Sequence, residues 1–110
     1  MRSMLGALAA AAIAAGGCSF VPHAYPRLDE AREAQLRAAA DPGVALYASE
    51  ELKIAAQVLE RAAAARATLN DPAVVDHLAY LAKQRAAISI EVAAFRNTCA
   101  ARRSPRGSCR

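Results

Sequence analysis

Tryptophan is absent from this 110-residue chain, aromatic residues make up only 5% of it, and glycine and proline number five each. Without large aromatic side chains the interior must be thin and closely packed, and a chain of this length holds one domain at most. The glycines form no phosphate-cradling loop, and neither a His-Glu-x-x-His metal motif nor a Gly-x-Ser-x-Gly elbow occurs. Only two histidines are present, His23 and His77. Asp76 is badly placed to orient His77, because adjacent helical residues diverge by about 100°. No catalytic residue, cofactor or metal site is therefore expected, and the chain does not read as an enzyme. What is abundant is alanine, at 31 residues within a hydrophobic share of 55%. Alanine is the best helix former and contributes little transfer free energy, so the composition points to helices throughout.

The N-terminus holds one short uncharged run. Arg2 precedes Met4–Ala15, and Gly16-Gly17 would break a helix there. Spanning a bilayer takes about 20 apolar residues, so the pattern fits the charged, apolar and cleavage regions of a secretory signal. Cys18 follows at once. Ala15-Gly16-Gly17-Cys18 resembles a bacterial lipobox, in which small residues expose the cysteine to a signal peptidase and the thiol accepts a diacylglyceryl group; leucine is usual where Ala15 stands. Acyl chains add about 0.8 kcal/mol per buried methylene, so a lipidated Cys18 would anchor the chain on a membrane without a spanning helix. Ser19, rather than aspartate, resembles the sorting signal of outer-membrane lipoproteins, and the expected place is the outer membrane, facing the periplasm. Ordinary secretion with a free Cys18 is the competing reading.

Export would put Cys99 and Cys109 in an oxidising compartment. They stand ten residues apart with Pro105 and Gly107 between them, a candidate disulfide that would pin the tail to a helix end. Such a bridge adds roughly 2–3 kcal/mol in the chain-entropy model. Two unpaired or intermolecular thiols are the alternative, and nothing nearby completes a tetrahedral metal set.

The expected divisions are a lipoprotein signal peptide over 1–17, a lipidated tether over 18–25, an alanine-rich helical domain over 26–102 and an arginine-rich tail over 103–110. Pro26 suits a first helical turn, followed by Leu28, Ala31, Ala34 or Gln35, and Ala38 at helical spacing, with Asp29–Arg32 and Glu33–Arg37 as pairs on a solvated face. Asp41-Pro42-Gly43 is expected to stop this helix. Ser49 is expected to cap a second, with Glu50 and Glu51 at its positive end. Leu52, Ala55 or Ala56, Leu59, and Ala62 or Ala63 form its stripe, widened by Ile54 and Val58, to an end near Leu69. Asn70-Asp71-Pro72 predicts a stop and a restart. The third helix, from Pro72 to about Ala101, would be about 45 Å long against about 30 Å for the second. Its inward seam is expected at Leu78, Leu81, Ile88, Val92, Phe95 and Cys99, interrupted by Arg85, whose head should snorkel to water or a carboxylate, a functional anion contact being the alternative. The expected fold is all-α, a long antiparallel helical hairpin with a shorter preceding helix.

The formal charge of +4 is unevenly spread: Cys18–Phe95 carries 8 basic and 10 acidic residues, Arg96–Arg110 five arginines and no acid. Arg102, Arg103 and Arg106 are thus candidate contacts for anionic headgroups or cell-wall polymers, a solvated tail being the plain alternative. Nucleic acid is not an expected partner, since the tail lacks interleaved aromatics.

The run Gly43-Val44-Ala45-Leu46-Tyr47-Ala48-Ser49-Glu50-Glu51-Leu52, with Ala55/Ala56, Leu59, Ala62 and Ala63 behind it, resembles a family of bacterial envelope lipoproteins classed as a domain of unknown function of the 4398 type. That family tends to show a GA-x-x-YAPEEL junction; Val44 stands here for its alanine and Ser49 for its proline. Ala31, Ala34 and Ala38 before the junction, and Asn70-Asp71 with Ala79, Ala82 and Ala86 after it, extend the likeness over most of the chain. The resemblance implies a periplasm-facing helical lipoprotein and offers no catalytic residues, and Tyr47 is the candidate interaction residue. Some longer relatives carry an OmpA-like peptidoglycan-binding domain, which this chain does not match. The expected role is a structural or protein-interaction module of the envelope, with an envelope protein, the cell wall or a second copy as partner. The alternative is a binding or chaperone-like accessory protein with an open apolar cleft between the second and third helices.

Overall fold

The computed structural model describes residues 24–103, and within them the chain is all-α. Four helices follow one another: α1 (Pro26–Ala40), α2 (Pro42–Tyr47), α3 (Ser49–Thr68) and α4 (Pro72–Ala101). None of them is long and apolar enough to cross a membrane.

Asp-Pro pairs punctuate the chain twice. A residue before proline is pushed out of the α region, and Asp41 accordingly sits at φ −78°, ψ 115°, ending α1. Its carboxylate then accepts the Gly43 N–H at 2.8 Å, with Pro42 in the first turn of α2. The stop expected at Asp41-Pro42-Gly43 is therefore also a start, and α2 is a helix that the spacing did not predict. At the second pair, Asp71 accepts from the N–H groups of Ala73 and Val74 and opens α4 as expected. Asn70 takes the left-handed conformation, φ 48°, and its N–H bonds to the Ala65 carbonyl to close α3.

The cap expected at Ser49 lies elsewhere. Ala48, at φ −140°, is the bend between α2 and α3, and no side chain caps α3 there. Ala48 is buried with Val44 against Ala93 of α4, so packing sets the bend one residue earlier than the hydroxyl would.

α3 and α4 form an antiparallel hairpin: near the turn Ala62 and Ala65 pack with Val75 and Ala79, and farther along Ala55 meets Ala86. α1 lies in the angle between them and runs alongside α4, with Leu28 and Ala31 in the first cluster and Ala34 and Ala38 in the second. This is the expected hairpin with a preceding helix, extended by α2.

The inward seam of α4 is not the expected one. Its buried residues are Val75, Ala79, Ala82, Ala86, Ser89 and Ala93, whereas Leu81, Ile88 and Phe95 stand outside with 37%, 45% and 57% of their surface exposed. Leu78 and Val92 are half-buried at the margin. Both series alternate threes and fours, and they differ by about one residue, a rotation of about 100°. α4 is packed on by all three other helices, and small side chains let those backbones approach closely. Arg85 lies on the outer series and is exposed, so it interrupts no buried seam. Ser89, fully buried, satisfies its hydroxyl by donating to the Ala86 carbonyl at 2.6 Å. On α3, Ala55, Ala62 and Ala65 are buried while Ile54 is exposed.

Candidate interaction site

Tyr47 closes α2, where the chain bends into α3. Its ring is half-buried against the cluster of Val44, Ala48 and Ala93, and its carbonyl accepts a hydrogen bond from Arg96 Nη1. The same guanidinium reaches Glu51, with Nη2 at 2.8 Å from Oε1 and Nη1 at 3.4 Å from Oε2. One side chain from α4 therefore holds the last carbonyl of α2 and a first-turn carboxylate of α3. The junction that carries the family resemblance is a lock between three helices, and Tyr47 serves it through backbone and packing. Charge alone assigned Arg96 to a basic tail; no local signal links it to Glu51, 45 residues away.

Tyr25 was expected in the tether, and it is instead part of the core, with only 6% of its surface exposed. Its hydroxyl donates to Asn70 Oδ1 at 2.7 Å, and the Arg66 guanidinium lies 5.2 Å from its ring centroid. Tyr25, seven residues after Cys18 in the sequence, thus belongs to the folded body. Pro22 and Pro26 had suggested an extended tether through this position, and a packing role for Tyr25 leaves no local trace.

Of the other candidates, Arg102 and Arg103 are exposed just beyond α4. Cys99 is half-buried and disulfide-bonded, and its bonding partner lies outside the described residues. Cys18, Arg106 and Cys109 also lie outside them, as do the signal peptide, most of the tether and most of the tail. His77 is exposed, and among the described residues no three His, Cys, Asp or Glu side chains gather as a metal site.

Two depressions are lined by described residues alone. One, of about 290 Å³, is lined by Arg27, Glu30, Tyr80, Lys83 and Gln84. Across it Lys83 Nζ lies 2.8 Å from Glu30 Oε2, and that hydrogen bond, helped by the Lys83 charge, holds the Glu30 carboxyl below its ordinary pKa. The other, of about 320 Å³, lies between the start of α2 and α4, from Asp41 to Asn97. Between α3 and α4, where the binding alternative places its apolar cleft, the described alanines of the two helices pack against one another.

The family model described as Domain of unknown function (DUF4398) matches residues 26–104. No curated protein and no solved structure matches the chain.

Proposed function

The chain belongs to the DUF4398 family, and we propose that it is a lipid-anchored protein of the bacterial envelope, attached through Cys18 to the outer membrane. There it acts in the periplasm as a structural or protein-interaction module, with no catalytic role. The observation that carries this reading is the inverted distribution of side chains on α4: alanines fill the interior while Leu81, Ile88 and Phe95 face outward. Large apolar side chains exposed along one face of a helix fit a contact surface. The lipobox-like Ala15-Gly16-Gly17-Cys18 supports the anchor, and the buried Tyr25 stands only seven residues from Cys18, a span of at most about 25 Å, which would keep the bundle close to the membrane. The exposed arginines beyond α4 fit contact with anionic headgroups or cell-wall polymers.

Metabolic labelling with a palmitate analogue, followed by envelope fractionation, tests the anchor. Wild type should label and sediment with the outer membrane, and Cys18→Ser should do neither. Equal solubility and no label in both forms would overturn it. Crosslinking in intact cells tests the module: adducts with envelope proteins or cell wall support it, and recovery of the chain as a contact-free monomer counts against it.

A further inference from the structure

We propose that the partner of Cys99 is Cys109, so that a disulfide closes residues 99–109 into a ring at one end of the bundle and leaves Cys18 as the one cysteine outside a bridge. Cys99 is disulfide-bonded within this single chain, and the sequence offers two other cysteines, Cys18 and Cys109. Reach decides between them. Tyr25 is held at the Asn70 turn by its 2.7 Å hydrogen bond and packs there with Leu28, Val75 and Ala79. From that end α1 and α4 run in the same direction, so Tyr25, which precedes Leu28, lies on the turn side of it. Cys99 is near the other end of α4, and from Val75 to Cys99 the helix rises about 36 Å at 1.5 Å per residue. Cys18 stands seven residues before Tyr25, a span of at most about 25 Å when fully extended. Bridged cysteines have their Cα atoms no more than about 7 Å apart. Even a straight tether therefore falls short of Cys99.

Cys109 needs no such path, since it stands ten residues after Cys99 with Pro105 and Gly107 between them, residues that suit a chain reversal. α4 also gives the ring something to hold. Its last buried residue is Ala93, yet it runs on to Ala101 through residues 94–98, all exposed. A covalent closure restrains such an end where no core does. The only charged side chains inside the ring are Arg102, Arg103 and Arg106, which it gathers at the end of the bundle opposite the tether. Forming the bond removes two protons and two electrons from the two thiols. A protein disulfide of the oxidising compartment takes up the electrons and becomes a dithiol, a step that rests on the export proposed above. The pairing itself follows from reach and holds whether or not Cys18 is acylated.

Tryptic mapping of the unreduced full chain, its free thiols blocked at lysis, tests the pairing. Cleavage follows Arg96, Arg102, Arg103 and Arg106, so the peptide that carries Cys99 should be recovered joined to the one that carries Cys109, and reduction should part them. Cys18→Ser should keep the joined peptides. Cys109→Ser should lose them and leave Cys99 open to a maleimide, with labelling about tenfold or more above wild type. Cys99 joined to a peptide containing Cys18, two copies of the Cys99 peptide joined to each other, or both cysteines recovered as free thiols would each overturn the pairing. Deuterium exchange reads the restraint. The Arg102 and Arg103 amides, which donate to the Thr98 and Ala100 carbonyls, should exchange about tenfold faster or more after reduction, while those of Ala79–Ala86 keep their rates. Equal rates at Arg102 and Arg103 before and after reduction would show that the ring does not hold the end of α4.

Discussion

The Tyr25 hydroxyl donates a 2.7 Å hydrogen bond to the side-chain oxygen of Asn70, 45 residues along the chain. It ties the residue that precedes α1 to the turn between α3 and α4, where Asn70 already holds a left-handed backbone. Tyr25→Phe keeps the buried ring and removes the bond, and should cost about 1 kcal/mol in chemical denaturation. Tyr25→Ala also empties core volume and should cost about 3–5 kcal/mol. Equal stability of Tyr25→Phe and wild type would show that the bond contributes nothing.

Arg96 joins α2, α3 and α4 through one guanidinium. Arg96→Met, which retains an apolar stem, should lower stability by about 1 kcal/mol, because the Glu51 pair is partly solvated. The loss should be local. Amides of α2, and that of Ala48 just after it, should exchange with deuterium faster while those of Ala79–Ala86 keep their protection.

The buried series of α4 makes a prediction opposite to that of the large residues. Ala86 is fully buried against α1 and α3. Ala86→Leu should destabilise by about 1–3 kcal/mol or more through overpacking. Ile88→Ala, at an exposed position, should change stability by no more than about 1 kcal/mol. Thermal melts of the two variants side by side distinguish the buried face from the exposed one.

The caps differ in the same way. Asp71 receives two backbone N–H groups, so Asp71→Ala should cost about 1 kcal/mol. Ser49 caps nothing through its side chain, and Ser49→Ala should stay within about 0.5 kcal/mol of wild type.

Glu30 reports the contact between α1 and α4. Its carboxyl is held below the ordinary value by the Lys83 hydrogen bond and charge. A carboxylate with a lowered folded pKa contributes stability above its unfolded pKa, and loses that contribution as pH falls through the folded one. The NMR titration of Glu30 should therefore have its midpoint below that of a free glutamate. Lys83→Met should move it back up and make the fold less sensitive to pH between neutrality and the acid limb.

Three of the four helices, and most of their ends, were legible from local chemistry. Pro26, Asn70, Asp71 and Pro72 act on their own neighbours, and their effects need no distant partner. Alanine content likewise determined the class, since it favours helix wherever it falls. The family likeness over the Tyr47 junction was also readable as a string of letters.

Which face of α4 turns inward was not readable, because its small and large series share one period and differ only by a rotation. Only packing against three other helices chose between them, and close backbone approach favoured alanine over leucine. The same packing made α2 a helix, drew Tyr25 out of the tether and gave Arg96 its partners. Composition, export-like signal and helical period belong to the sequence by itself. The choice of core, lock and exposed face belongs to the tertiary structure, where contacts between residues far apart in the chain select among arrangements that local periodicity leaves equal.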